Sequence, residues 1–191
     1  DEKAERHYLK AISLNSNAPS PDYYYAKFLI KKDKSVLAKD HLNNALLISP
    51  NHQQSIQLLN SLKEMPLTQN VDDLISYGLH HMQIGYFNYA EYYFLEALKI
   101  NPSYHITEIN LGILYGAMNN HDEAETHFKK ASKLSPNTAE VDFYYGRYLH
   151  QIGKTKSAIK QLKTALQKNP NHITSQQLLK DISPNDIQLN N

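Results

Sequence analysis

The sequence predicts an all-α fold, namely a solenoid of antiparallel helix pairs that is interrupted by an internal capping helix. Three observations predict it: a period of about 34 residues, a proline after the second helix of most pairs, and two copies of one apolar segment. The 191 residues are 41% hydrophobic, and 20 Lys and Arg balance 19 Asp and Glu. No segment carries the basic stripe that phosphate binding needs, so nucleic acid is not an expected partner.

Small and large side chains recur in the second helix of each predicted pair. Ala90, Phe94, Ala97 and Pro102 show the pattern, with two alanines about two helical turns apart and a large residue between them. The alanines let two helix backbones approach closely, and the proline ends the helix because it cannot continue the hydrogen-bond ladder. The same set stands at Ala4, Tyr8 and Ala11; at Ala38, Leu42, Ala45 and Pro50; at Ala124, Phe128, Ala131 and Pro136; and at Ala158, Leu162, Ala165 and Pro170.

A first helix is predicted before each complete set, with a large residue next to a small one at its packing face. The pairs are Tyr25-Ala26, Tyr77-Gly78, Leu111-Gly112 and Tyr145-Gly146. Two of these pairs end aromatic triplets, at residues 23–25 and 143–145. Consecutive residues on a helix point about 100° apart. We therefore expect Tyr25 and Tyr145 inside their helix pairs, and Tyr23 and Phe143 on the hollow face of the solenoid.

This pattern resembles the tetratricopeptide repeat (TPR) family, which has the same period and the same small, large, small, proline signature. The resemblance covers nearly the whole chain. The tryptophan that is usual early in the first helix is missing, since Asp22, Leu74, Glu108 and Asp142 stand at that place. The resemblance implies helix-turn-helix repeats whose hollow face binds a segment of another protein.

The domain organisation follows from the segment PNHQQSIQLLNSL at 50–62 and its copy PNHITSQQLLKDI at 170–182. A solenoid ends on a helix with one apolar and one polar face, so each copy is expected to cap a block of repeats. We expect an N-terminal block at 1–65, containing a half repeat, one full repeat and a capping helix. A linker at 66–70 then leads to a block at 71–182, with three repeats and a capping helix, and to a flexible tail at 183–191.

The first block begins in the middle of a repeat. Ala4 and Ala11 belong to a second helix whose first helix would precede residue 1, so we expect the chain to be a piece of a longer protein. Tyr8, Ala11 and Ile12 would leave a partly uncovered apolar face on this helix, and such faces tend to find partners. Self-association through the N-terminal helix is one expectation that follows.

The sequence indicates neither a catalytic site nor a cofactor or metal site. Cysteine is absent, and no Gly-rich phosphate loop or nucleophile motif is present. Adjacent residues on a helix diverge by about 100°, so His80 and His81 are not expected to converge on a metal ion. His121 and His127 share no face. We therefore expect a chain without enzymatic activity, cofactor or metal.

The resemblance implies that residues about one turn apart on each first helix line the hollow face. The predicted partner-binding groove comprises Ile75, Leu79, Met82, Ile106, Ile109, Asn110, Ile113, Phe143, Tyr144, Arg147, Tyr23 and Lys27. Ile106, Ile109 and Ile113 form an apolar stripe apart from the packing face of their helix, where a solvated surface would be polar. The alternative is that these three side chains pack between neighbouring first helices.

Some co-chaperones in this family hold a chaperone's C-terminal carboxylate with a clamp of Lys and Asn, then Asn, then Lys and Arg. At those places this chain carries Ile75 and Leu79, then Asn110, then Glu140 and Tyr144. Only Asn110 matches, so clamp activity is not expected.

The function predicted from sequence is a non-catalytic protein–protein interaction scaffold. Its partner would be a partly apolar peptide or helix, with an acidic residue near Arg147. No apolar run reaches the ~20 residues of a membrane span. Two alternatives keep the fold: the soluble tail of a larger enzyme or membrane assembly, as in bacterial glycan or pilus biogenesis, or an oligomerisation module.

Overall fold

The structure is a computed structural model that describes residues 2–62 and 68–183. Within these residues it consists of helices and connecting turns without a strand, which confirms the predicted all-α class. The helices are α1 Glu2–Leu14, α2 Pro19–Ile30, α3 Ser35–Ile48, α4 Gln53–Ser61, α5 Val71–Gln83, α6 Phe87–Ile100, α7 His105–Ala117, α8 His121–Leu134, α9 Ala139–Gln151, α10 Thr155–Lys168 and α11 Ile173–Ile182. None of them is both long and apolar enough to cross a membrane.

The chain divides into two compact units, residues 1–89 and 90–191, called the first and the second unit below. The division falls within α6. Part of the predicted linker, residues 66 and 67, and the predicted tail from 184 onward lie outside the described residues. The predicted block boundaries therefore stay a prediction.

The second unit packs its helices through the predicted small and large residues. Ala158, Leu162 and Ala165 of α10 are fully buried. On the facing helix α9, a Cβ atom built on Gly146 would lie 3.1 Å from Cγ of Leu162. Gly146 thus brings α9 close to α10, and Leu162 fills the space that remains, as the sequence pattern predicts.

Phe128 of α8 lies at the centre of the second unit and is fully buried. Its ring centroid lies 5.3 Å from that of Tyr145 and 5.1 Å from that of Tyr148, both on α9. On the α7 side, a Cβ atom built on Gly112 would lie 2.9 Å from Cε2 of Phe128. One aromatic ring therefore joins three helices, and a glycine gives it room.

The first unit repeats the stacking of Phe128 on Tyr145 at the matching places of α1 and α2. Tyr8 of α1 stacks on Tyr25 of α2, with 5.8 Å between ring centroids, and Ile12 is buried beside them.

The two copies of the apolar segment, at 50–62 and 170–182, make the same contact where their helices begin. Nδ1 of His52 lies 2.7 Å from Oγ of Ser55 at the start of α4, and His172 and Ser175 show the same distance at the start of α11.

The buried tyrosines of the second unit make its stability sensitive to high pH. Burial, together with the carboxylate of Glu125, raises the pKa of Tyr145 to about 12, and burial also raises the pKa of Tyr148. The unfolded chain loses these protons near pH 10 while the folded chain keeps them, so stability is full below about pH 10 and falls above it.

We expect the melting temperature, followed by circular dichroism, to drop between pH 10 and about 12, with a smaller drop in Tyr145→Phe. The exposed Tyr92 supplies the control, because Tyr92→Phe should leave the profile unchanged. Tyrosinate absorbance that is complete near pH 10 in the folded chain would contradict this expectation.

Candidate functional site

The second unit contains a cavity of about 350 Å³ between α7, the start of α8 and α9. Its walls include Ile113, Gly116, His121, Tyr144, Arg147 and Tyr148. The volume falls at the lower end of the ~300–1,000 Å³ that is usual for ligand pockets. Ile113, Tyr144 and Arg147 belong to the predicted groove, so the structure brings three of its residues to one concave surface.

Arg147 places a fixed positive charge at this cavity. Its guanidinium carbon lies 4.9 Å from the ring centroid of Tyr144 and 5.7 Å from that of Phe143, distances that allow cation–π attraction. Arg147 is half-buried, and no carboxylate of the described residues forms an ion pair with it. The guanidinium is therefore held by aromatic rings, and its hydrogen-bond donors remain available to an anion.

His121 and Tyr148 form a hydrogen-bonded pair in the cavity wall. Nδ1 of His121 lies 3.0 Å from the hydroxyl oxygen of Tyr148. Burial and the nearby carboxylates of Glu125 and Asp122 raise the pKa of Tyr148 above its usual value. Gly116 permits this arrangement, since a Cβ atom there would lie 2.9 Å from Cε2 of Tyr148.

The other predicted groove residues of the second unit differ in exposure. Ile109 is only 5% exposed and packs in the core with Phe128, whereas Ile106 is 38% exposed. Asn110 is buried and Ile113 is half-buried. The predicted apolar stripe is thus divided between core and surface.

The remaining predicted residues belong to the first unit. On α5, Ile75 is buried, Met82 is half-buried and Leu79 is 40% exposed. On α2, Lys27 is exposed, and its Nζ lies 5.5 Å from the ring centroid of the half-buried Tyr23. This arrangement resembles that of Arg147 over Phe143, at the matching place of the second aromatic triplet.

The first unit also contains a histidine cluster that the sequence does not predict. His41 of α3 lies with its ring centroid 5.8 Å from that of His80 and 5.9 Å from that of His81, both on α5. One ligand nitrogen from each ring can be chosen so that all three lie within 4.8 Å of one another. The expectation that His80 and His81 do not converge is therefore wrong. His41 lies on another helix, and its ring is close to those of both His80 and His81. Spacing along one helix cannot reveal such a contact.

Carboxylates hold two of these rings. Nδ1 of His41 lies 2.7 Å from Oδ1 of Asp22, and Nε2 of His81 lies 2.8 Å from Oδ2 of Asp40. Nε2 of His41 lies 3.4 Å from Nε2 of His80. Burial lowers the pKa of His41 in spite of Asp22, and it lowers the pKa of His80 to about 3. Both rings are therefore neutral at pH 7.

Comparison with known proteins identifies the repeat. Residues 117–182 match the family model for the Tetratricopeptide repeat, and they include α8 to α11 and most of the cavity wall. Residues 117–182 belong to the tetratricopeptide repeat family. In these TPR repeats, the buried alanines and the large residues between them are therefore the packing signature.

Similar proteins extend this finding. Human trafficking protein particle complex subunit 12 is 24% identical over 142 residues, which are 71% of this chain and 19% of that protein. YrrB, a TPR protein with an unusual peptide-binding site, is 17% identical with a TM-score of 0.52, over 91% of this chain and 97% of YrrB. The first TPR domain of Spaghetti (RPAP3), bound to an HSP90 peptide, is 19% identical with a TM-score of 0.53, over 62% of this chain and 94% of that domain.

An O-GlcNAc transferase from Thermobaculum terrenum is 23% identical with a TM-score of 0.53, over 62% of this chain. This chain spans only 23% of the transferase and 19% of the human subunit. The likenesses to solved structures show the TPR fold, and the activities of the longer proteins are not carried over with it.

Proposed function

We propose that this chain is a non-catalytic protein-interaction scaffold that binds a segment of a partner protein at the cavity of the second unit. The observation that carries the proposal is Arg147, whose guanidinium lies over the rings of Phe143 and Tyr144 at the edge of that cavity. A solved TPR structure with a bound peptide supports the general function.

The chemistry of the cavity indicates what kind of segment it would bind. Ile113 and Ile152 provide apolar wall, and Arg147 provides a fork of donors that matches a carboxylate. A segment with an apolar side chain next to Asp or Glu would use both. Each buried apolar side chain contributes about 1.5–3 kcal/mol, whereas association costs on the order of 4–15 kcal/mol. A few such contacts give a modest affinity and a transient complex.

The test begins with peptides selected from a random display library for binding to the folded chain. Their affinity is then measured by fluorescence polarisation for the wild type and for Arg147→Glu. We expect the substitution to weaken binding about tenfold or more, because charge-assisted hydrogen bonds contribute about 1.5–3 kcal/mol and the new charge repels the acidic residue. The affinity of Arg147→Lys should lie between those of the wild type and Arg147→Glu, since lysine keeps the positive charge but lacks the planar guanidinium.

Lys156→Glu is the matched control, because Lys156 is exposed on α10 and lies outside the cavity wall. It changes the net charge by the same amount and should leave affinity unchanged. Equal affinities for the wild type and Arg147→Glu would overturn the proposed site, and so would an equal loss from Lys156→Glu.

A further inference from the structure

The histidine cluster of the first unit has the composition and geometry of a metal site. His41 and His81 are fully buried and His80 is partly buried, and the three rings come from the two helices α3 and α5. We propose that His41, His80 and His81 bind a divalent transition-metal ion, with Zn²⁺ as the expected ion, which links α5 to α3 within the first unit.

The distance between two of the rings fits coordination. Nε2 of His41 and Nε2 of His80 lie 3.4 Å apart. Zn–N bonds of about 2.0–2.1 Å place two ligands of a tetrahedral site about 3.3 Å apart, so a zinc ion fits between these atoms. One ring nitrogen of His81 also lies within 4.8 Å of a ring nitrogen of each of the other two histidines.

The carboxylates beside the rings set the protonation that coordination requires. An ionised carboxylate only accepts hydrogen bonds, so Nδ1 of His41 donates to Asp22 and Nε2 of His81 donates to Asp40. In a neutral ring the opposite nitrogen then carries the lone pair. Metal-binding histidines in proteins have this partner on the other nitrogen, which orients the ring and raises its basicity.

Charge also favours a cation at this place. Asp22 is fully buried and accepts hydrogen bonds from Asn44 Nδ2 at 2.9 Å and from the hydroxyl of Tyr86 at 2.6 Å, in addition to His41. Buried charge is costly unless it is compensated, and a divalent ion would balance Asp22 and Asp40 together. Imidazole ligands favour zinc, copper or nickel over magnesium and calcium.

The primary test uses the untagged chain after removal of metal with a chelator. Titration with Zn²⁺ by calorimetry should show one tight site per chain, and Co²⁺ should give the visible absorption of a four-coordinate site with three nitrogen ligands and one water. Zn²⁺ should also raise the melting temperature, and the chelator should reverse the rise. Wild-type chain without saturable binding of either ion would overturn the proposal.

Variants locate the site. His80→Gln should weaken Zn²⁺ binding by about 100-fold or more because it removes a ligand, and Asp40→Asn should weaken it by about 10–100-fold through His81. His150→Gln is the control, because His150 is exposed on α9 and should not affect binding. Equal affinities for His80→Gln and the wild type would overturn the assignment.

A second measurement does not depend on whether the variants fold. Paramagnetic Co²⁺ added to the isotope-labelled wild type should broaden the amide resonances around His41, His80 and His81 before those around the exposed His7 and His150. Broadening that begins at the exposed histidines would show adventitious surface binding and would also overturn the proposal.

Discussion

Replacing Phe128 with Ala is expected to lower the free energy of unfolding by about 3–5 kcal/mol. Phe128 is fully buried and lies against Tyr145, Tyr148 and Gly112, which come from the two helices on either side of it. The surrounding rings are held by their own helices, so the space left by the ring cannot close and the lost contacts are not replaced.

Chemical denaturation followed by circular dichroism measures this effect. Lys130→Ala is the control, because Lys130 is exposed two residues further along α8 and should change stability by no more than about 0.5 kcal/mol. Phe128→Leu should cost less than Phe128→Ala because it fills part of the space. Equal stabilities for Phe128→Ala and Lys130→Ala would show that this ring does not organise the core.

Asp22→Ala is expected to destabilise the first unit by about 3 kcal/mol, because three donors lose the same acceptor and each buried donor left unpaired costs about 1–3 kcal/mol. The Asp22 carboxylate accepts from His41 Nδ1 at 2.7 Å, from Asn44 Nδ2 at 2.9 Å and from the hydroxyl of Tyr86 at 2.6 Å. Alanine would leave the fully buried His41 without that acceptor, and Asn44 and Tyr86, which are half-buried, would lose it too.

The measurement is again chemical denaturation, performed in chelator so that any metal ion is excluded. Asp22→Asn should cost less, since the amide oxygen still accepts one of the three hydrogen bonds. Asp181→Ala is the control, because Asp181 is exposed on α11 and should have little effect. A loss no larger than in Asp181→Ala would mean that water enters the network and replaces the carboxylate.

Three carboxylates stand where the family usually has tryptophan. The sequence locates them, but it does not reveal which basic residues they pair with. From the sequence, Asp22, Glu108 and Asp142 are recognisable only as replacements for that residue. In the structure, each is buried and pairs with a basic residue of the next helix. Asp22 pairs with His41 at 2.7 Å, Glu108 with His127 at 2.5 Å, and Asp142 with Lys168. Carboxylates at a buried place indicate that partners exist, but their identity depends on how the two helices pack.

The predicted groove of the second unit also has features that the sequence could not reveal. Helical spacing placed Ile106, Ile109 and Ile113 on one stripe, and the family resemblance implied that Tyr144 and Arg147 line a groove. Which isoleucine enters the core depends on how closely α7 approaches α8 and α9. That approach is set by Gly112 and Gly116, each of which gives room to an aromatic ring. Spacing along one helix contains no information about this distance.

The sequence by itself determined the repeat, the order of its helix pairs and the two matching apolar segments. These features follow from side-chain size at fixed helical spacing, which acts between neighbours in the chain. Only the tertiary structure decided that His41 meets His80 and His81, that Ile109 is core while Ile106 is exposed, and that Arg147 lies beside a cavity. Those contacts join residues from different helices, and their distances depend on how the helices pack as rigid bodies.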